Sequence, residues 1–297
     1  MFHVGGLSIQ SIPALFVGGS LTLHARFDPA LWLQDVAALK PTLSLLVPAT
    51  LKAVIDHPAF AATDLSSLRM LNSGSSTIPE SLIRPFHDRG IPVGQVYGTT
   101  ETGPISIYLR AEDAMRKLGS SGQPAIHCEI RLVDEAGADV PRGAVGEIRV
   151  RGLNLMRGYW RDPDNPSFQD GWFRTGDLAR IDDEGFYFVV GRSKDMIISG
   201  GENVYPAELE NILADCPAIA EAAVFGAPDP KWGEVAVAAI VRRAGVTLDE
   251  AGVLTLFEGR IARFKHPRRI LFLDALPRNA MGKVQKFELR KQFGHPA

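Results

Sequence analysis

Cysteine is scarce in this chain, and its scarcity limits the folds and compartments that fit. The 297 residues contain only two cysteines, Cys128 and Cys216, which cannot form a disulfide framework or a C-x-x-C metal pair. His127 precedes Cys128 without further ligands, so we predict no metal role there. A chain with so few cysteines is expected in the cytoplasm.

A strong excess of either charge sign is also missing. The formal net charge is −2, which suggests neither nucleic acid nor a membrane surface as a partner. The charge is uneven, however, because residues 259–297 carry ten Lys or Arg against two acidic residues, a local charge of +8. Such a segment is typical of a nucleic-acid arm, a solvated helix or a site for a small polyanion. Spacing alone leaves these three interpretations open.

Charged side chains are absent from residues 1–25. The segment lacks the basic start and the A-x-A cleavage pattern of a signal peptide. Gln10, Pro13 and four glycines interrupt it too often for a membrane span, so we predict none. We expect instead a buried helix and strand of a core, and a chain that begins inside a domain.

The first 115 residues alternate apolar strands with helical stretches, which indicates an α/β layer. Asp28 and Pro29 mark the start of a helix that runs to Leu39. A second helix is predicted at 79–89, and strands are predicted at 20–24, 43–47, 67–72 and 93–97.

From about residue 119 the pattern changes to short β-rich pieces separated by turns. We predict strands at 129–133, 146–151 and 185–190. A second compact unit of mixed α+β structure follows, with helices at 206–214, 248–264 and 286–293 and strands at 220–225, 235–242 and 269–273. The predicted domains are therefore residues 1–190, with a β-rich subdomain at about 118–190, and residues 191–297.

Two polar motifs follow predicted strands. The first, YGTTETG at 97–103, gathers backbone amides, hydroxyls and the carboxylate of Glu101, a combination that can bind phosphate and Mg²⁺. In the second, WFRTGDL at 172–178, Asp177 could accept hydrogen bonds from the two hydroxyls of a ribose. A capped polar turn explains the first pattern equally well, and an Asx-type turn explains the second.

Two further motifs lie in the second predicted domain. GRSKDMIISGGENVYP at 191–206 places two glycines at a domain junction, where the backbone could approach a ligand closely. PRNAMGKVQK at 277–286 places Lys283 after a glycine on a loop. This is not a Walker motif, because no Ser or Thr follows the lysine.

In this order, the four motifs resemble the adenylate-forming family of acyl-CoA synthetases, adenylation domains and luciferases, and the resemblance runs the length of the chain. It implies an α/β fold, in which part of a large adenylation domain with a β-rich subdomain is joined by a short hinge to a small, mobile α+β C-terminal lid. It also implies that ATP, Mg²⁺ and CoA act on a small-molecule carboxylic acid, giving an acyl-adenylate and then a thioester. A homo-oligomer is compatible with this interpretation.

The resemblance assigns roles to the residues of the first domain. Glu101 resembles the Mg²⁺ carboxylate and Thr100 a phosphate contact, with Tyr97, Gly98 and Thr99 in the same turn. Asp177 resembles the ribose acceptor. Further positions carried over are Ser73, Gly74 and Ser75 beside adenine and the acyl group, and His3 near the acyl carboxylate. A histidine in apolar surroundings is also common in a protein core, and Ser76 and Thr77 replace the Ala and Pro of many relatives.

The second domain receives the remaining roles. Arg192 resembles a second ribose contact, Lys194 the hinge, and Lys283 the lid lysine that bridges the carboxylate and the α-phosphate. Gly200 and Gly201 would let pantetheine pass close to the backbone. Trp232 and Phe264 would pack on the adenine of CoA, and His266 and Arg268 would meet its phosphates; this would explain the basic tail.

One feature of the family is not found, the Thr/Ser/Gly-rich phosphate loop, so we expect an N-terminally incomplete chain. Three hypotheses stay open. The first is an AMP-forming acid–thiol ligase acting on an aliphatic or aryl acid. The second is an inactive nucleotide- or CoA-binding subunit that needs a partner chain. The third, an adenylation module feeding a carrier protein, is disfavoured by the cluster around Trp232.

Overall fold

The computed structural model describes residues 3–75, 78–162, 164–279 and 282–294. The chain divides into two compact units, residues 1–189 and 190–297. The described residues form three five-stranded sheets with helices between the strands.

The first sheet of unit 1 has the strand order β1-β2-β3-β4-β5. Strands β1 to β3 are parallel, and the last two pairings are antiparallel. The strands are β1 Leu43–Leu45, β2 Met70–Ser73, β3 Val93–Tyr97, β4 Ile107–Tyr108 and β5 Gln123–Pro124. The helices are α1 Ile12–Phe16, α2 Pro29–Leu39, α3 Pro48–Ile55, α4 Glu80–His87 and α5 Ala111–Ala114, with a π-helix at Gly5–Ser11 and a 3₁₀ turn at Thr100–Thr102.

Helix α2 shows how local chemistry builds this layer. Asp28 is its N-cap, and its carboxylate accepts hydrogen bonds from the amides of Ala30 and Leu31. Trp32, Leu33 and Val36 lie on one helical face and are buried in the core of the unit. The predicted helix is thus confirmed at both ends.

The N-terminal stretch differs from its prediction. Residues 20–24 form no strand, and the apolar side chains are exposed: Phe16 by 89%, Val17 by 79% and Leu23 by 65%. β propensity depends on cross-strand neighbours, and within the described residues no strand pairs with this segment. The expectation of a buried helix and strand here is therefore wrong for the structure described.

The second sheet lies in the β-rich part of the chain, with order β10-β9-β7-β6 and β8 paired with β9. Its strands are β6 Cys128–Val133, β7 Gly146–Gly152, β8 Phe168–Gln169, β9 Trp172–Ile181 and β10 Tyr187–Arg192. One face is apolar, where Leu132, Ile148 and Val150 pack together. Residues that alternate with them point to the other face, which carries charged side chains.

Unit 2 is built on a third sheet of order β12-β11-β14-β13, with β15 parallel to β14. Its strands are β11 Ile197–Ser199, β12 Glu202–Val204, β13 Ile219–Asp229, β14 Gly233–Arg242 and β15 Arg269–Phe272. Its helices are α6 Pro206–Ala214, α7 Glu250–Thr255 and α8 Lys286–Phe293, with 3₁₀ turns at Ser193–Asp195 and Arg263–Lys265. Both faces of the long β13–β14 pair are covered, since Val224 joins one apolar cluster and Phe225 joins another.

Helix α7 is much shorter than the predicted helix at 248–264. After Thr255 the chain continues as turns, with the amides of Phe257, Glu258 and Arg260 each bonded to the carbonyl three residues earlier. Gly259 has φ +71°, a conformation that an α-helix cannot contain. Among the helices of the described ranges, none combines the length and apolar character needed to cross a membrane.

Candidate functional site

Two polar turns lie side by side in unit 1, because β2 and β3 are parallel neighbours that end at the same edge of the sheet. Each turn requires a glycine. A Cβ at Gly74 would lie 2.7 Å from the Val96 carbonyl oxygen, and a Cβ at Gly98 would lie 1.9 Å from that of Pro104. The glycines therefore let the backbone pack where any side chain would clash.

The turn after β2 contains a buried hydroxyl. Ser73 is fully buried, and its Oγ has no hydrogen-bond partner among the residues that the structure describes. A buried polar group without a partner is costly, so it is a natural contact for a ligand. Ser75 follows with φ +74°, an uncommon backbone conformation for a residue other than glycine. Ser76 and Thr77, the two positions where the sequence departs from many relatives, lie outside the described residues.

The turn after β3 places Thr100 and Glu101 in a 3₁₀ turn. The amide of Thr99 donates to the hydroxyl of Thr102 over 3.0 Å, which closes the turn. Thr100 is exposed and Glu101 partly exposed, so a hydroxyl and a carboxylate meet at the end of a parallel strand.

A loop after β7 braces this turn, and sequence reasoning missed it. The side-chain amide of Asn154 donates to the Thr102 carbonyl at 2.6 Å, and the amide of Met156 to the Glu101 carbonyl at 2.8 Å. The Tyr159 hydroxyl donates to Glu101 Oε1 at 2.9 Å. Burial, with the hydrogen bond to Glu101, raises the pKa of Tyr159 to about 12. The only sequence signal was an aromatic pair in a polar loop, which has no periodicity.

Asp177 reaches the same region from the second sheet. Its carboxylate is almost fully buried and accepts a hydrogen bond from the Tyr97 hydroxyl at 2.9 Å. The pairing of β7 with β9 is irregular between Glu147 and Arg149, so β9 bulges at Gly176, where φ is +69°. Glu147 accepts from the Gly176 amide at 3.2 Å and fixes the bulge. The first and second motifs are thus brought together.

His3 has a local role. Its Nδ1 accepts a hydrogen bond from the Gly5 amide at 3.1 Å, and its carbonyl accepts from the Leu7 amide. It therefore supports the start of the π-helix at Gly5–Ser11 from a partly exposed position. Its role near an acyl carboxylate stays a prediction.

Trp232 and Arg268 come together in unit 2. The Arg268 guanidinium lies 5.1 Å from the indole centre, and the Lys231 amine lies 4.9 Å from it. The indole also covers Gly200, where a Cβ would lie 2.8 Å from the ring, whereas a Cβ at Gly201 would have no described atom within 4 Å. Of the two predicted glycines, only Gly201 leaves its backbone open in this arrangement.

Phe264 and His266 differ in their surroundings. Phe264 is 41% exposed, with the Lys265 amine 6.0 Å from its ring. The His266 ring lies 5.7 Å from the ring of Phe257, and its Nε2 is 3.2 Å from the carbonyl oxygen of Ile261. His266 thus holds a turn of unit 2 together, and its contact with a phosphate stays a prediction.

Lys283 lies on a tight turn of unit 2. Its amide donates to the Asn279 side chain at 2.9 Å, and its carbonyl accepts from the Asn279 amide at 3.0 Å. Gly282 has φ +79°, which makes the turn possible. Ala280 and Met281, which complete the fourth motif, lie outside the described residues.

Arg192 is the second residue of the third motif, and its carbonyl accepts a hydrogen bond from the Met196 amide across the 3₁₀ turn. Lys194 lies within that turn and is exposed. Its carbonyl oxygen lies 3.5 Å from Nη1 of Arg290 on α8, a long hydrogen bond. The predicted hinge residue is therefore held at its backbone, while its side chain is exposed.

Glycine-dependent turns at the carboxyl edge of parallel strands, beside a buried carboxylate and an unpartnered hydroxyl, are typical of α/β proteins that bind a nucleotide. The chain belongs to the AMP-binding enzyme family, whose model matches residues 1–160. The model of the AMP-binding enzyme C-terminal domain matches residues 208–283. The family resemblance inferred from the four motifs is therefore confirmed.

Characterised relatives span almost the whole chain. An indoleacetate–CoA ligase of Aromatoleum aromaticum is 52% identical over 98% of this chain and 58% of its own length. A feruloyl-CoA synthase of an Amycolatopsis species is 42% identical over 99% of this chain and 60% of its own length. The chain thus spans about three fifths of the relatives it matches.

Solved structures of related proteins also resemble this chain. ATP-bound MatB from Rhodopseudomonas palustris superposes with a TM-score of 0.90 at 38% identity, over 98% of this chain and 58% of that one. The o-succinylbenzoate CoA synthetase of Bacillus subtilis, in complex with an acyl-adenylate intermediate, gives 0.88 at 36% identity, over 97% and 59%. The predicted α/β fold class is confirmed by these likenesses.

Proposed function

We propose that this chain takes part in the ATP-dependent activation of a carboxylic acid and the transfer of its acyl group to CoA. The observation that carries the proposal is the hydrogen bond between Tyr97 and Asp177, which joins two predicted nucleotide motifs from different sheets. The unpartnered Ser73 hydroxyl, at the same sheet edge as Tyr97, supports it. The names of the relatives, which are CoA ligases and synthases, point to the same chemistry.

The nucleotide would be held by unit 1. Asp177 would accept from the ribose hydroxyls, Ser73 and the backbone after it would border the adenine, and Thr100 would donate to a phosphate. Glu101 would hold Mg²⁺, which needs only one or two protein carboxylates when phosphates supply other ligands. Mg²⁺ would offset the negative charge of the phosphates when bound. Tyr159 orients Glu101 for this task through its hydrogen bond.

The first step joins the acid to AMP. A carboxylate oxygen of the acid attacks the α-phosphorus, a new P–O bond forms, and the α–β anhydride bond breaks to release pyrophosphate. The anionic reactants repel each other, so positive charge is needed where they meet. Lys283 would supply it, because lysine is a compact cation on a flexible stem.

The second step uses CoA. Its thiol sulfur attacks the acyl carbonyl, the bond to AMP breaks, and the thiol proton passes to solvent. Trp232, with Arg268 against its ring, would bind the adenine and a phosphate of CoA, and Phe264 would extend this surface. Gly201 would let pantetheine approach the backbone. Lys194 would act as the hinge about which unit 2 turns between the two steps.

We propose an aryl acid as the substrate. The relatives of 52% and 42% identity are named for indoleacetate and ferulate, both carboxylic acids that carry an aromatic ring.

The two cysteines are free, which agrees with a cytoplasmic setting.

Carboxylate-dependent release of pyrophosphate from ATP tests the proposal. The chain is assayed with indoleacetate, ferulate, benzoate and a medium-chain fatty acid. It is assayed alone and mixed with the polypeptide that supplies the part of the indoleacetate–CoA ligase that this chain does not match. Release above the acid-free control, largest for an aryl acid, is expected in at least one format.

The alternative is an inactive nucleotide- or CoA-binding subunit. If neither format releases pyrophosphate while isothermal titration shows saturable binding of ATP or CoA, the subunit interpretation replaces the ligase. Activity that is greatest with the fatty acid would support the ligase proposal and contradict the proposed specificity for an aryl acid.

A further inference from the structure

A polar cavity of about 380 Å³ opens on the charged face of the second sheet. Its floor is formed by β6, β7 and β9, and its ends by the turns that follow β6 and β8. It is lined by Arg131, Glu135, Arg149, Asp170, Trp172 and Arg174. Trp172 and Arg174 belong to the second motif, but no residue of this cavity has an individual role toward the nucleotide, the acid or CoA.

The three lining arginines form a row across neighbouring strands. Arg131 on β6 is directly opposite Arg149 on β7, and Arg149 is directly opposite Arg174 on β9. Like charges opposite each other on adjacent strands are unfavourable. A stable protein therefore needs anionic groups beside this row.

The neighbouring carboxylates satisfy the outer arginines but not the central one. Arg131 donates to Asp139 at 2.7 Å, and Arg174 donates to Glu147 at 3.3 Å. Arg149 reaches Glu147 only at 3.9 Å, which is too long for a hydrogen bond.

Arg149 is also largely withdrawn from water. Its side chain is only 12% exposed, and its Nε has no hydrogen-bond partner among the described residues. A largely buried guanidinium without a close anionic partner is costly, and an oxyanion in the cavity that accepts hydrogen bonds from this guanidinium would reduce the cost. The central arginine of the row is thus the group that a ligand would satisfy.

The remaining lining residues limit the size and charge of that ligand. Trp172 lies within 5.4 Å of the Arg131 guanidinium and 4.5 Å of that of Arg151, so an aromatic ring supports the arginines. Glu135 and Asp170 also line the cavity, so its charge is mixed, and a ligand that carries many negative charges is disfavoured. A small anion with one oxyanionic group fits both features.

We propose that this cavity is an oxyanion-binding site, in which Arg149 holds a phosphate or carboxylate group of a small molecule, with Arg131 and Arg174 on either side. The site is separate from the proposed ligase chemistry, and either proposal can fail without the other.

Isothermal titration of the whole chain with inorganic phosphate and, separately, with acetate tests the site, at an ionic strength held constant with chloride. We expect saturable binding of at least one anion, and the stronger one identifies the chemical source of the ligand. Arg149→Met should weaken it about tenfold or more, as expected for loss of a charged hydrogen bond. The matched control is Arg180→Met, which removes an exposed arginine of β9, the strand that also carries Arg174; Arg180 stacks on Phe188.

Arg174→Met is a second test variant in case the Arg149 variant does not fold, because the Arg174 side chain is 44% exposed and its replacement should disturb the fold less. Weaker binding in the Arg149 and Arg174 variants, with normal binding in Arg180→Met, supports the site. If Arg149→Met does not fold, Arg174→Met alone decides. Absence of saturable binding to the wild type, or unchanged affinity in every folded variant of the row, overturns the proposal.

Discussion

Single residues in this chain form hydrogen bonds that orient side chains from distant parts of the sequence. Tyr97 and Asp177 are 80 positions apart, and Tyr159 and Glu101 are 58 apart, yet each pair is bonded at 2.9 Å. The sequence motifs identified Tyr97, Glu101 and Asp177. They could not identify Tyr159, because its role depends on the path of a loop rather than on a local pattern.

Lys283 is the residue whose role in the proposed reaction can be tested most directly. In a form that releases pyrophosphate, Lys283→Ala should lower the rate of adenylation by about 100-fold or more, a loss of the size seen when a single electrostatic contact to the transition state is removed. Thioester formation from preformed acyl-adenylate should be largely spared. Single-turnover assays of the two half-reactions measure both effects.

The matched control is Lys291→Ala, which removes an exposed lysine on α8 of the same unit. It should leave both half-reactions close to the wild type. An equal loss in both half-reactions of Lys283→Ala would contradict the assignment of this lysine to adenylation.

At the level of secondary-structure elements, the sequence predicted those with strong local signals. Helix α2 has a capping aspartate and an N-terminal proline, α6 also begins with proline, and β3 ends at Tyr97, directly before Gly98. The strand at 20–24 was wrong, since a strand also needs a partner that no local pattern supplies. The helix at 248–264 was too long, because its apolar periodicity continues through turns that pack on the same core.

The turn after β3 should not tolerate a side chain at Gly98. Gly98→Ala would place a Cβ 1.9 Å from the Pro104 carbonyl oxygen, so the backbone must move. We expect a loss of about 1–3 kcal/mol in the free energy of unfolding, the usual cost of forcing extra atoms into a packed site. Urea denaturation followed by circular dichroism measures it.

Gly6→Ala is the matched control, because a Cβ at Gly6 meets no atom of the described residues within 4 Å and Gly6 lies in the π-helix. It should be neutral or slightly stabilising, since alanine restricts the unfolded chain. Equal stability of the Gly98 and Gly6 variants would show that the turn can move without cost.

The link between α4 and β3 should weaken in acid. His87, the last residue of α4, accepts a hydrogen bond at Nε2 from the Val93 amide, and burial is the main cause that lowers the pKa of His87 below 6.5. The folded protein therefore favours the neutral ring. Its contribution to stability is complete above pH 6.5 and is lost as the pH falls through the lowered pKa, because the unfolded chain binds the proton more readily.

His87→Gln isolates this effect, since glutamine keeps an acceptor oxygen but does not titrate. The wild type minus variant difference in unfolding free energy should decrease between about pH 7.5 and pH 5.5, across the ordinary histidine range. Denaturation curves at several pH values measure it. Parallel pH dependences of the two proteins would show that His87 does not carry the effect.

At the scale of the whole molecule, the family and the α/β class could be inferred from the four motifs and their order, because each motif is one continuous stretch of sequence. The row formed by Arg131, Arg149 and Arg174 could not be inferred from the sequence, because it depends on the register of three strands. Exposed apolar side chains at the N-terminal stretch were also unforeseen, because exposure depends on what packs against a segment.

Residues 190–297 should fold on their own, because both apolar clusters on either face of β13 and β14 draw all their described members from this unit. Expressed alone, this segment should unfold in one cooperative transition and give dispersed amide resonances in ¹H–¹⁵N spectra. Phe225→Ala, which removes a fully buried ring, should lower its unfolding free energy by about 3–5 kcal/mol. The exposed Phe287→Ala should have little effect. Collapsed resonances and a broad transition in the wild-type segment would mean that these clusters are not sufficient for a folded unit.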